Sequence, residues 1–205
     1  MNPYKTLDNF GTFELVEKKS RFIAAASPAA SEDDAREFIG DIRTKNKTAN
    51  HNVYAYIIGE NMGIMRFSDD GEPSGTSGIP VLNVLKSNGI VNAVIVVTRY
   101  FGGVLLGASG LVRAYGSAAG GAVSAAGIVE RKPFTECLAR VDYSFVNKVN
   151  YELELAGFTV VKTTYEADVI FEILAAPERC HDLNALLLNI SSGNAEIIFG
   201  GTIMR

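Results

Sequence analysis

The seven residues Val91-Asn92-Ala93-Val94-Ile95-Val96-Val97 constrain the fold more than any other stretch. They are nearly continuous in β-branched side chains, which pack well on a pleated surface. Such a run predicts a central strand buried within a sheet. It falls far short of the roughly 18–20 apolar residues of a membrane-spanning helix, so no span is expected. On either side lie polar, glycine-containing segments, residues 68–78 and 98–107, which predict loops. Eleven of the 20 glycines lie between Gly71 and Gly121.

The surrounding pattern predicts an α+β domain of about four strands and three helices. Residues 13–18 and 21–26 are strand candidates joined at Lys19-Ser20. Ser31 is placed to cap a helix with Glu32, Asp33 and Asp34 in its first turn. Ala35, Phe38, Ile39 and Ile42 form the buried stripe of that helix. Val53, Ala55 and Ile57 alternate with Tyr54 and Tyr56 as a strand, and residues 62–67 are expected to return beside it. Ser77 and Pro80 predict the start of a helix continued by Val81, Val84 and Leu85. From Ser109 a long helix should run with Val112, Tyr115, Ala119, Ala122, Val123 and Ala126 on one side. Its Gly116 and Gly120 are expected to allow close approach to the sheet.

Residues 134–205 follow a different plan. Strand candidates at 138–143, 159–164, 168–175 and 195–199 alternate with helices at 147–156 and 177–188. The order βαββαβ is the split-βαβ, ferredoxin-like pattern. The polar stretch Glu130-Arg131-Lys132-Pro133 reads as a short linker, giving domains 1–133 and 134–205. Charge divides at the same place. The first part holds 14 basic and 13 acidic residues, the second 5 and 10, and the whole chain carries −4. That excludes a generally basic nucleic-acid coat but not a local basic groove, which would belong to the first domain. No secretory signal is visible, since Tyr4, Lys5 and Asp8 precede any apolar run, and a cytoplasmic location is expected. Cys137 and Cys180 stand outside any metal-binding spacing and read as reduced thiols.

Two loops carry the chemistry. Residues 68–80 place Asp69, Asp70 and Glu72 within four positions, followed by Ser74 and Thr76. The carboxylates could hold a divalent cation, and the second half could offer N–H groups to an anion at a helix start. The bland alternative is a turn in which Asp69 and Glu72 cap local N–H groups. Neither an EF-hand nor a P-loop spacing is present. Residues 97–116 place Arg99 at the end of the buried strand and Arg113 in the next helix. Two arginines near glycines suit an anion, and Tyr100 and Phe101 could stack on a base. Alternatively Arg99 pairs with Asp69 or Asp70 and the aromatics are core or rim. His51 would be a general base only if it reached Asp69 or Ser74, and no hydrolase motif accompanies it.

The segments Lys18-Lys19-Ser20-Arg21-Phe22-Ile23, Ala49-Asn50-His51-Asn52, 68–80 and 98–116 occur in this order. Together they resemble the signature of the YigZ/IMPACT family, across essentially the whole chain. The resemblance implies a first domain built like a small-subunit ribosomal-protein domain and domain IV of elongation factor G. It implies a second domain like that factor's C-terminal one. Eukaryotic relatives regulate translation initiation during amino-acid starvation, with the help of an extra N-terminal interaction domain. Some bacterial relatives have been labelled proline dipeptidases, but the metal-ligand set of such an enzyme needs more histidines than this chain has. The expectation is therefore a non-enzymatic, translation-linked protein without cofactor. It would bind RNA, the ribosome or a translation-factor partner through a groove of Arg21, His51, Asp69, Asp70, Glu72, Ser74, Thr76, Arg99, Tyr100 and Arg113. The alternative is an enzyme, or a small phosphate- or metal-binding protein, using the two glycine-rich loops.

Overall fold

A computed structural model describes all 205 residues. The chain is α+β and divides into two compact units, Tyr4–Arg131 and a second formed by Met1–Pro3 with Lys132–Arg205.

In the first unit an antiparallel sheet has the order β2 (Gly11–Glu17), β3 (Ser20–Pro28), β6 (Ala93–Tyr100), β4 (His51–Ile58), β5 (Ile64–Ser68). The apolar run thus forms the central strand. Its unbroken character follows from what covers it. Ala93, Ile95 and Val97 pack in one core with residues of α2 (Gly78–Ser87) and α3 (Ala108–Ala126). Val94 and Val96 pack in a separate core with Ala35 and Ile39 of α1 (Glu32–Lys45). Successive side chains point to opposite faces of a strand, so a strand covered on both faces must be apolar at every position. Asn92 lies just before the strand, where its backbone is left-handed and its Oδ1 accepts the Gly59 N–H at 2.8 Å.

The strand runs on through Thr98, Arg99 and Tyr100, where a loop was expected. Alternation then dictates the fate of each. Arg99 falls on the α2/α3 face with Val97, and Tyr100 on the α1 face with Val96.

The expected linker is also strand. Ile128–Arg131 forms β7, pairing with β1 (Tyr4–Leu7), and β8 (Pro133–Val141) begins one residue later. Lys132 exchanges backbone hydrogen bonds with Arg205 at 2.8 and 2.9 Å. The first unit therefore has seven strands rather than about four.

The close approach of α3 to the sheet is not made by Gly116 or Gly120, beside which there is open space. It is made by Gly121, under the Phe13 ring, and by Gly11 on β2. A Cβ on Gly11 would lie 2.6 Å from the Ala122 carbonyl oxygen and closer still to the Ala126 nitrogen.

The second unit has the βαββαβ order β8, α4 (Val146–Leu155), β9 (Thr159–Tyr165), β10 (Val169–Ala175), α5 (Cys180–Ile190), β11 (Glu196–Met204). Its antiparallel sheet has the order β11-β8-β10-β9. Leu153, Phe171, Leu183 and Leu187 are fully buried at its core. No helix of either unit is long and apolar enough to cross a membrane.

Because backbone atoms face Gly11, they cannot step aside for a methyl group. Gly11→Ala should cost roughly 1–3 kcal/mol of stability, as overpacking does, measured by urea unfolding followed by circular dichroism. Gly116→Ala should be neutral or mildly stabilising.

Candidate functional site

The acidic loop after β5 is organised by its first carboxylate. Asp69 Oδ1 accepts from the Ser77 N–H at 3.2 Å, the Ser77 hydroxyl at 2.7 Å and the Gly78 N–H at 2.8 Å. Its Oδ2 accepts the Gly75 N–H at 2.9 Å. Ser77, the expected cap of α2, makes no capping bond itself and instead donates to Asp69. A carboxylate eight residues upstream thus supplies both acceptor and negative charge at the positive helix end. Partial burial pushes the Asp69 carboxyl up, but the Ser77 hydroxyl and three N–H groups outweigh it. The net pKa lies below the ordinary aspartate value of 3.8.

Asp70 ties the loop to its neighbours. Its Oδ2 accepts the Asn52 N–H at 2.6 Å and its Oδ1 takes the Arg43 guanidinium of α1 at 2.8 Å. Its carbonyl oxygen accepts from His51 Nδ1 at 2.8 Å. A carbonyl cannot donate, so Nδ1 carries a proton, and with a single proton on the ring Nε2 is an acceptor. Thr76 is buried with its hydroxyl on the Pro73 carbonyl at 2.6 Å, while Ser74 is exposed.

Glu72 does not cap an N–H group. It is buried and receives Arg99 Nη1 at 2.6 Å and the Tyr115 hydroxyl at 2.7 Å, both on Oε1. Arg99 therefore pairs with neither Asp69 nor Asp70. Its Nη2 reaches Ser20 Oγ at 3.4 Å, its Nε has no partner, and its guanidinium lies 5.4 Å from the ring centres of both Phe22 and Phe101. His51 stands opposite Arg99 across β4 and β6, with Nε2 3.9 Å from Glu72 Oε1. Burial, then the bond to Glu72, raises the Tyr115 phenol well above its ordinary range.

Above this node is a pocket of about 440 Å³. Asn50, His51, Glu72, Arg99, Phe101 and Leu105 line it together with the start of α3. Phe101 and Leu105 are 44% and 81% exposed, yet the loop that carries them is pinned. Asn50 Oδ1 accepts the Phe101 N–H at 2.8 Å, and Ser20 Oγ accepts the Gly102 N–H at 3.2 Å. Gly102 packs against the Lys19 backbone with no room for a Cβ.

The ten residues expected to share a groove separate into groups. His51, Glu72 and Arg99 meet at the pocket, and Asp69, Asp70 and Thr76 hold the loop that delivers Glu72. Arg21 lies on the α1 face, paired with Glu14 at 2.7 Å, and Tyr100 lies there too, donating to Asn46 Oδ1 at 2.9 Å. Arg113 is exposed on α3, lining a separate cavity of about 260 Å³ with Lys18. The groove expected from sequence omitted Ser20, Asn50, Phe101, Leu105 and Tyr115. Tyr115 was legible only as an apolar-stripe position, because nothing local shows that its hydroxyl meets Glu72. No group of three or more His, Cys, Asp and Glu side chains is arranged to hold a metal ion.

Residues 18–123 match the model of the Impact N-terminal domain, which spans all of this site. The chain belongs to the IMPACT family. Residues 140–194 match a second domain, DUF1949, a domain of unknown function. The chain is 38% identical over 197 residues to IMPACT family member YvyE of Bacillus subtilis (strain 168), covering 96% of this chain and 91% of that one. It is 30% identical over 183 residues to IMPACT family member YigZ of Escherichia coli (strain K12), covering 88% and 90%. A crystal structure described as that of a hypothetical protein superposes with a TM-score of 0.64 at 28% identity, covering 97% of both chains.

The Asp69 cap has a pH signature. Its folded pKa is depressed, so its contribution is complete above the unfolded value near 3.8 and is lost as pH falls through the folded one. Asp69→Asn should cost about 0.5–2 kcal/mol at neutral pH. In urea unfolding at stepped pH, the gap from the unaltered protein should close below pH 3.8.

Proposed function

We propose that this IMPACT-family protein is a non-enzymatic, translation-linked binder of RNA that engages the ribosome through its first unit. The observation that carries the reading is an exposed aromatic on a rigid mount. Phe101 keeps 44% of its surface exposed while its N–H and that of Gly102 are held by Asn50 and Ser20. Unpaired bases are recognised by stacking on such rings, and a mount fixed beforehand lowers the entropy lost on binding.

Cations flank the loop. The two-residue turn between β2 and β3 is Lys18-Lys19, both at positive φ, where asparagine and glycine are the usual occupants. That conformation keeps Lys19 packed on Gly102, beside the loop. Arg113 shares a cavity with Lys18. The fold that the family resemblance implies, like that of ribosomal-protein and elongation-factor domains, supports the same reading, although a fold does not by itself specify a ligand.

The carboxylates that suggested metal or phosphate chemistry are already engaged by protein donors, four on Asp69, two on Asp70 and two on Glu72. An ion at Asp69 or Asp70 would have to displace them from both oxygens. A protein partner is the second reading, favoured by the exposed Val104 and Leu105 on the same loop.

Co-sedimentation with ribosomes tests the proposal. The protein should pellet at about 50 mM salt and be largely released at about 200 mM, because phosphate contacts release counterions. Phe101→Ala and Lys18→Glu/Lys19→Glu should each reduce pelleting, with circular dichroism unchanged. Absence of pelleting at low salt would overturn it. Pelleting insensitive to both salt and the lysine changes would instead support the protein partner.

A further inference from the structure

Resting on the RNA-binding reading above, the geometry points to a more specific ligand: the pocket between His51, Glu72 and Phe101 takes a single unpaired guanine base. Three observations carry it. The first is an unused acceptor. Glu72 is buried and lines the pocket, yet Arg99 and Tyr115 both bind Oε1, leaving Oε2 without a protein donor. The second is its neighbour. His51 Nδ1 donates to Asp70 O, which leaves Nε2, 3.9 Å from Glu72 Oε1, as an acceptor whenever the ring holds a single proton. Two adjacent acceptors at the floor of a pocket ask for two adjacent donors.

Guanine alone among the four bases offers that pattern, N1–H beside the N2 amino group. Adenine and cytosine place their amino group beside a ring-nitrogen acceptor, and uracil N3–H lies between two carbonyls. The floor carries Glu72 and Arg99 as a neutral pair, so it does not select simply for a cation.

The third observation is the complementary wall. Asn50 Oδ1 is taken by the Phe101 N–H, which leaves its amide N–H groups as donors. At the start of α3 the first intrahelical bond runs from Leu111 N–H to Gly107 O, and no side chain caps the helix. Gly107 and Ala108 of that helix start also line the pocket. These donors suit O6 and N7, the acceptor edge of guanine. Phe101, 44% exposed and lining the pocket, supplies the stacking ring, and about 440 Å³ lies within the range of small-ligand sites. Guanine recognised in this way would be extruded from a single strand or loop, because pairing hides N1–H and the amino group.

Fluorescence anisotropy with the full chain tests this. The probe is a short, labelled oligouridylate carrying one central guanine, compared with the same strand carrying adenine, cytosine or inosine. Guanine should bind about tenfold or more tightly than each of the other three, the discrimination of one good bidentate base contact. Inosine is decisive on the unaltered protein, because it lacks only the N2 amino group. Phe101→Ala should weaken all strands, while Glu72→Gln should erase the preference for guanine, provided thermal unfolding shows both variants folded. Competition by guanosine monophosphate separates the sources. Displacement at concentrations comparable to the strand assigns the site to a free nucleotide, and poor displacement assigns it to RNA; both support a guanine pocket. Equal affinity for all four strands would overturn the inference. Equal affinity with ribosome pelleting intact would overturn this inference alone, and loss of both would overturn the RNA reading with it.

Discussion

The first unit depends on one buried ion pair. Arg99 and Glu72 are both nearly inaccessible, their charged atoms are 2.6 Å apart, and each comes from a different part of the chain. Moving a guanidinium and a carboxylate out of water is expensive, and their attraction offsets that only with good geometry and further hydrogen bonds. Tyr115 and Ser20 provide those bonds. The pair thus joins the acidic loop, the central strand, α3 and the β2–β3 turn at one point. Replacing such a pair by apolar residues of similar shape is often harmless. Its presence in a position surrounded by hydrophobic core therefore fits a demand for position rather than stability. It fixes where Glu72 Oε2, His51 and the Phe101 loop stand.

The two loops divide this labour. The acidic loop looks like a metal or phosphate site when read as composition, yet every carboxylate in it has a structural occupation. Asp69 caps α2, Asp70 joins β4 to α1, and Glu72 holds Arg99. The glycine-containing loop of residues 101–107 exposes Phe101, Val104 and Leu105, anchors Leu106 in the core, and is pinned through the backbone of Phe101 and Gly102. A rigid, partly apolar rim over a polar floor is the form that recognition sites commonly take.

The pattern of the chain revealed most of the elements. Alternation in Val53–Ile57, the β-branched central run and the Ser31 capping box each have a local cause and are legible locally. What stayed hidden is non-local. The end of β6 is not legible locally because Arg99 and Tyr100 look like surface residues, although the strand continues through them. Its alternation would then have put Arg99 on the core face and Tyr100 opposite. The cap of α2 is hidden locally because Ser77 satisfies the local rule, while the acceptor that does the capping, Asp69, is eight residues away. Gly116 and Gly120 stand out in the sequence of α3, but the tight contacts are made by Gly11 and Gly121, which only the sheet–helix packing reveals. The strand at Ile128–Arg131 needed a partner at the other end of the unit, Tyr4–Leu7, before it could be recognised. The spread of the candidate groove is non-local too: the pleat sends Arg21 and Arg99 to opposite faces.

A double-mutant cycle across Glu72 and Arg99 tests most directly whether this pair organises the site. Glu72→Gln, Arg99→Met and the double variant are compared by urea unfolding. Each single change should cost about 3–5 kcal/mol, because it leaves a buried charge without its partner. The double change should cost much less than the sum, with a coupling energy of about 2 kcal/mol or more. Single effects that add to within about 0.5 kcal/mol would mean that the two residues act independently, and would contradict the central place given to their pairing.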